Sequence, residues 1–117
     1  MGLVRDSELR GLLLDGKLEE FNQLAGENPP DLRSVDLRGV DLKGADLMHA
    51  NLEGAYLRNA DLRGADLRYA NLDGASLHGA RIGGVLFPKE LPAHEILLSL
   101  REGTRLRAGP RSSQRSD

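Results

Sequence analysis

The chain has 117 residues, of which 29% are charged, and its formal net charge at pH 7 is -2. This near balance of acids and bases predicts no overall field that would attract polyanions or membrane surfaces. The absence of cysteine excludes disulfides and thiolate chemistry and fits a reducing compartment. Because the longest aliphatic runs are as short as 12–14 and 96–98, we expect neither a membrane span nor a signal peptide, and therefore a cytoplasmic protein.

Residues 1–27 are predicted to form an N-terminal helical cap of two short helices. Ser7 is a suitable N-cap for the first helix, because leucines follow it at helical spacing. Gly16 interrupts this pattern, which then restarts with acidic residues in the first turn of a second helix. Pro29 and Pro30 end the helical region, because proline cannot continue a helix.

A five-residue repeat occupies the predicted second region, 28–88. Its centres are Leu32, Leu37, Leu42, Leu47, Leu52, Leu57, Leu62, Leu67, Leu72, Leu77 and Ile82, with Phe87 as a twelfth candidate. A small apolar residue, Val or Ala, stands two positions before each centre from Leu37 onward. Glycine is usual two positions after the centre, and the exceptions are Ser34, His49, Asn59 and Tyr69. On an α-helix this spacing would spread the leucines around the whole surface, and on a straight strand it would alternate them between faces.

A chain that bends once in every five residues would solve this problem. Each leucine and its small partner would then face a common axis, while the residue between them would face water. Glycine after the centre is typical of such a turn. Successive coils would pair their backbone groups as parallel strands do, although bending alone leaves the number of sides open.

The stretch 60–77, "ADLRGADLRYANLDGASL", resembles the pentapeptide-repeat family, whose signature is A(D/N)LXX. The resemblance implies a mainly β fold, a right-handed quadrilateral parallel β-helix with short α-helical caps at both ends. Four sides would stack residues twenty apart, and the repeat would then form about three coils, roughly 15 Å tall. The exposed ends of so short a column would need covering.

Residues 89–106 are predicted to form a C-terminal helical cap or a dimerisation helix. Ile96, Leu97 and Leu100 fall on one helical stripe, and Gly103 would end the helix. Because some members of the family dimerise through a C-terminal helix, the resemblance implies that a homodimer through the terminal helices is one option. The remaining residues, 107–117, are predicted to be a disordered tail.

Catalysis has little support in the sequence. The three histidines, His49, His78 and His94, are isolated, and no set of residues suggests a catalytic triad. Stacked carboxylates such as Asp41 and Asp61 could hold a cation, but neutralisation by neighbouring lysine and arginine is the expected arrangement. We therefore expect no enzyme activity, no cofactor and no metal site.

Departures from the repeat mark the candidate interaction surface. Stacking places Arg38, Arg58 and His78 on one face, with Tyr56 where the repeat usually has Asp or Asn. An adjoining corner carries Met48, His49, Arg68 and Tyr69. Arginine and tyrosine are favoured at recognition surfaces, although outward positions can also vary without functional consequence.

The predicted function is a non-catalytic protein-interaction or scaffold module with an unidentified protein partner. The resemblance implies an alternative, a DNA mimic that modulates DNA gyrase or another DNA-binding protein. Residues 31–87 carry eight acidic and seven basic side chains. A DNA mimic of this height would need roughly nine uncompensated negative charges, so the charge disfavours this alternative. The interleaved charges also predict no direct binding to nucleic acid and none to membranes.

Overall fold

The computed structural model of the protein describes residues 6–107. Three helices lie in this range: α1 (Asp6–Leu14), α2 (Leu18–Glu27) and α3 (Ala93–Glu102). The five-residue repeat lies between α2 and α3, and α1 packs against α2. The predicted disordered tail lies outside the described residues, apart from Arg107.

The repeat folds into a coil in which residues twenty positions apart pair through parallel bridges, as between Asp31 and Asn51. One turn of the coil therefore contains four five-residue segments. We number the four sides by the inward residues that they stack. Side I carries Leu32, Leu52 and Leu72; side II carries Leu37, Leu57 and Leu77; side III carries Leu42, Leu62 and Ile82; side IV carries Leu47, Leu67 and Phe87.

A tight turn follows each inward residue. The backbone N–H of Val35, for example, donates to the carbonyl oxygen of Leu32 at 3.2 Å, and the same bond recurs along the repeat. Most of these turns need a positive φ at the glycine position, which explains why glycine is usual there. His49 and Tyr69, on side IV, have no positive φ, so their corner tolerates large side chains.

The predicted mainly β class, a right-handed quadrilateral parallel β-helix, is wrong. Within residues 6–107 the regular elements are the three helices, and the repeat contributes isolated single-residue bridges instead of strands. The physical reason is the turn frequency. With a turn in every five residues, each side keeps one bridged residue, such as Asp41 opposite Asp61, which is too short to form a strand.

The inward leucines form the core of the coil. From Leu32 to Leu77 each is at most 3% exposed, and the small residues before them from Val35 to Ala75 are buried as well. Burial weakens towards the end of the repeat, where Ile82, Val85 and Phe87 are only partly buried. The coil is therefore filled by stacked leucines and is less well covered at its last two sides.

Side chains of α1 and α2 bond to the first turn of the coil. Asn22 accepts a hydrogen bond from the backbone N–H of Asp46 at 2.7 Å and donates one to the carbonyl oxygen of Gly44 at 3.0 Å. Arg10 Nε donates to the carbonyl oxygen of Asp36 at 2.7 Å. The bonds to the Asp46 N–H and the Asp36 carbonyl satisfy backbone groups whose equivalents on a later turn pair with the turn before it.

The other end of the coil is joined by α3 and the segment that follows it. Ser99 Oγ accepts from the N–H of Leu77 at 2.9 Å and donates to the carbonyl oxygen of Thr104 at 2.6 Å. Leu106 is fully buried and exchanges hydrogen bonds with the backbone of Gly74 and Ala75. Residues 104–107 thus return to the coil and cover part of its last turn.

The inward and outward assignment can be tested with one pair of leucines. Leu57→Ala removes a fully buried side chain from the middle turn and should lower the free energy of unfolding by about 2–5 kcal/mol. The control is Leu97→Ala, at a leucine on α3 that is 57% exposed. It should change the free energy of unfolding by about 0.5 kcal/mol or less. Urea titration followed by circular dichroism measures both, and equal losses would contradict the core described above.

Alanine substitutions at two glycines with positive φ can distinguish the cost of backbone strain from the cost of steric crowding. A Cβ at Gly39 (φ 73) would meet nothing within 4 Å, so Gly39→Ala should cost about 1–2 kcal/mol through its left-handed backbone alone. A Cβ at Gly79 (φ 71) would collide with Oδ1 of Asn59. Gly79→Ala should therefore cost about 1 kcal/mol more than Gly39→Ala in the same unfolding measurement. A smaller cost at Gly79 would contradict the close stacking of these turns.

Candidate functional site

An aspartate and an arginine two residues apart form a clamp that recurs on the outer surface of the coil. Arg38 donates from Nε and Nη2 to the two carboxylate oxygens of Asp36, each at 2.8 Å. The backbone N–H of Arg38 donates to the same carboxylate at 3.1 Å. The same arrangement joins Asp31 to Arg33, Asp61 to Arg63 and Asp66 to Arg68. These four arginines are therefore already occupied by carboxylates of their own segments.

The clamps favour the ionised aspartates. The hydrogen bonds from Arg38 hold the pKa of the Asp36 carboxyl well below its usual range. The Arg63 guanidinium has the same effect on the pKa of Asp61, and burial opposes it only in part. Lys43 links two turns, because its Nζ lies 3.3 Å from Asp41 and 3.1 Å from Asp61. The stacked carboxylates of side III are thus neutralised by basic side chains.

Side II loses the clamp on its second and third turns. Tyr56 stands where the aspartate would be, so Arg58 has no carboxylate two residues before it. The Arg58 side chain forms no ion pair or hydrogen bond with any described side chain or backbone group in residues 7–107. On the next turn Ser76 and His78 replace the aspartate and the arginine. Arg58 is consequently an arginine that the repeat presents without its partner.

A groove of about 360 Å³ lies on side II. The four residues that the sequence predicts for this face, Arg38, Tyr56, Arg58 and His78, all line it. Ser76, Glu102, Gly103 and Arg105 complete the lining. We refer to this feature as the side II groove. Its composition is mixed, with three arginines, one glutamate, one tyrosine and one histidine.

Arg105 is one of four residues of the side II groove that the sequence did not predict, and it is the one that contacts Tyr56. It pairs antiparallel with Ser76, and its guanidinium carbon lies 5.4 Å from the centre of the Tyr56 ring. Its Nη1 also donates to the carbonyl oxygen of Gly74 at 2.7 Å. Because residues 104–107 lie outside the repeat, no register in the sequence indicates that they add a fourth level to side II.

His78 lies under the end of α3. The helix ends at Gly103, whose φ of 79 is the left-handed conformation common at helix C-termini. A Cβ at Gly103 would lie 3.6 Å from the imidazole, so the two residues are in close contact. Nδ1 of His78 is buried and has no hydrogen-bond partner among the described residues. His78 therefore forms part of the covered wall of the groove.

The second predicted group, on the side IV corner, is separate from the groove. The rings of His49 and Tyr69 stack with their centres 5.5 Å apart, and Tyr69 is 65% exposed. Arg68 lies 5.9 Å from the Tyr69 ring, but its guanidinium is clamped to Asp66. Met48 is half-buried beside them. This corner presents an aromatic stack whose neighbouring arginine is already occupied.

The predicted helical stripe divides between the core and the surface. Ile96 and Leu100 are partly buried against the core, whereas Leu97 is 57% exposed. Leu98, which the prediction omitted, is also exposed. The stripe of α3 therefore contributes two residues to covering the coil and leaves the third in solvent.

The structure keeps the three histidines apart. His49 lies on side IV, His78 on side II and His94 in α3, where its Nε2 is 3.9 Å from a carboxylate oxygen of Glu95. Among the side chains of residues 7–107 there is no group of three or more histidines, aspartates or glutamates placed to hold a metal ion. The described helices also lack the length and apolar character that a membrane crossing requires.

A family model described as pentapeptide repeats matches residues 31–54 and 45–84 in 8 copies. Through this stretch the chain belongs to the pentapeptide-repeat family. The match confirms the resemblance carried by the stretch 60–77 and leaves the helical ends of the chain outside it. No curated protein and no solved structure matches this pentapeptide-repeat chain.

The clamps predict a specific acid response. Because Arg63 and Lys43 lower the pKa of Asp61 in the folded state, its stabilising effect is present above its unfolded pKa of about 3.9 and is lost as the pH falls below it. The melting temperature should therefore drop between pH 6 and pH 2.5. In Asp61→Asn this drop should be smaller, because the clamp is already absent.

Asp46→Asn is the matched control for this measurement. It removes an outward carboxylate whose side chain accepts a backbone hydrogen bond, from Met48, and forms no ion pair with a described residue. Its drop in melting temperature should exceed that of Asp61→Asn. Calorimetry at a series of pH values gives both, and equal drops in the two variants would argue against the clamp.

Proposed function

We propose that this pentapeptide-repeat protein is a non-catalytic protein-interaction module and that the side II groove is its contact surface. The observation that carries the proposal is Arg58, which lies in the groove without the carboxylate that four other arginines of the repeat have two positions earlier. A guanidinium in this state gains more from an external partner than one that is already clamped.

The composition of the groove supports this function. Tyrosine and arginine are enriched among the residues that contribute most to protein interfaces, and the groove combines Tyr56 with three arginines. Tyr56 is 40% exposed, and Arg105 stacks on its ring. The aromatic surface is therefore available to a partner and is held in place from one side.

The coil also supports this function through its rigidity. Tyr56 lies between bridges to Asp36 below and Ser76 above, and its N–H donates to the carbonyl oxygen of Val35 at 3.0 Å. A backbone held in this way is already ordered before a partner arrives. Less conformational entropy is then lost on binding than with a flexible loop.

The alternative, mimicry of DNA, finds no support in the arrangement of charges. The outward carboxylates of Asp31, Asp36, Asp41, Asp61 and Asp66 are all paired with arginine or lysine. A duplex presents a row of uncompensated negative charges, whereas this surface alternates opposite charges at short distance. We therefore favour a module that recognises protein over one that imitates nucleic acid.

The proposal is tested by capturing a partner and measuring its affinity. The tagged full chain is used to recover proteins from its own lysate, and a recovered partner is then purified and titrated. Arg58→Ala should weaken the binding at least tenfold, as truncating an interface arginine commonly does. The control is Arg63→Ala, which makes the same change of charge at the same repeat position on side III.

Arg63 is clamped to Asp61, so Arg63→Ala should leave the affinity within about twofold of the wild type. Equal losses in both variants would indicate a general effect of charge. A partner that binds Arg58→Ala as tightly as the wild type would remove the side II groove as the contact surface.

A further inference from the structure

We infer that the side II groove binds an acidic peptide segment and that a carboxylate of this peptide pairs with Arg58. The inference rests on the proposed function and specifies its partner chemistry. The incoming carboxylate would take the place of the aspartate that the repeat lacks at position 56. Arg58 would then acquire from the partner the clamp that Arg38 has from its own segment.

The charges around the groove favour this ligand. Arg38 is neutralised by Asp36, whose carboxylate oxygen lies 2.8 Å from its guanidinium. The remaining charged groups are Arg58 and Arg105, opposed by Glu102 at the end of α3. One N–H group of Arg105 donates to the backbone carbonyl of Gly74, and its other N–H groups can donate to a ligand. The unneutralised charge of the groove is therefore positive and centred on Arg58 and Arg105.

The clamped arginines on the other sides of the coil are poor competitors for the same peptide. At Arg33, Arg63 or Arg68 an external carboxylate would have to displace a bidentate pair of hydrogen bonds at 2.7–3.0 Å. Arg58 offers its guanidinium without such a displacement. An acidic peptide should therefore prefer Arg58 to these three clamped arginines.

The shape of the groove favours a peptide over a free anion. Its volume of about 360 Å³ is several times that of a single carboxylate or phosphate group. The exposed Tyr56 ring adds an apolar surface beside Arg58 that a small anion would not cover. A peptide can place its carboxylate on Arg58 and pack neighbouring atoms on the ring.

The test uses three capped eight-residue peptides that differ at two central positions, which are glutamate, glutamine or phosphoserine. Each is titrated into the full chain labelled with ¹⁵N, and the Nε–H signals of the arginines are followed. We expect the glutamate peptide to shift the signals of Arg58 and Arg105 and to leave that of Arg63 unchanged. The glutamine peptide should bind at least tenfold more weakly.

Variants at Tyr56 test the clamp directly. Tyr56→Asp restores the aspartate of the repeat, so its carboxylate should occupy Arg58 and exclude the peptide. Tyr56→Asn removes the same ring without adding a carboxylate. We expect the glutamate peptide to bind Tyr56→Asp about tenfold more weakly than Tyr56→Asn. Asn71→Asp adds the same charge at the same repeat position on side I and should bind like the wild type.

Several results would overturn the inference. Equal binding to Tyr56→Asp and Tyr56→Asn would do so, as would shifts spread evenly over all arginines. A response to the phosphoserine peptide or to inorganic phosphate, without one to the glutamate peptide, would replace the carboxylate by a phosphate. A protein partner could bind through Arg58 while the glutamate peptide leaves the Nε–H signal of Arg58 unchanged. In that case the proposed function stands, and the inference that the groove binds an acidic peptide is wrong.

Discussion

The turn after every inward leucine is the constraint on which the rest of this structure depends. The bond from the N–H of Val35 to the carbonyl of Leu32, repeated along the chain, redirects the backbone once in every five residues. Four such turns bring the chain back above its starting point, so residues twenty apart pair. Each leucine therefore points inward, and each outward residue lies above the residue twenty positions earlier. Between two turns each five-residue segment has room for only one bridged residue. The coil is held together by many single bridges and a continuous leucine core.

The same geometry decides which surface groups remain available. Residues on either side of the inward leucine point outward together, and this places an aspartate within reach of the arginine two positions later. Wherever both are present they saturate one another, and the surface becomes electrostatically uniform. The surface differs chemically where the aspartate or the arginine of a clamp is replaced. Tyr56 is such a position, because it leaves Arg58 without its carboxylate and adds an aromatic ring.

The segment that covers the last turn of the coil also forms part of the candidate site. Residues 104–107 cover the last turn on side II, with Leu106 buried and Arg105 bridged to Ser76. The contact that buries Leu106 also holds Arg105 over the ring of Tyr56. Covering the core and completing the groove are therefore achieved by one short segment. A change that released this segment would expose the coil and remove one wall of the groove together.

The sequence by itself determined the inward leucines, the five-residue register and the family, because a strict period allows few backbone shapes that bury every leucine. Stacking residues twenty positions apart also placed four residues on one face, and the groove lies on that face. They are Arg38, Tyr56, Arg58 and His78. The predicted mainly β class was wrong, because the period shows which side chains point inward and not how many residues pair on each side. Only the tertiary structure placed Arg105 in the groove. That contact depends on a segment outside the repeat, and its position is decided by where Leu106 finds a buried site.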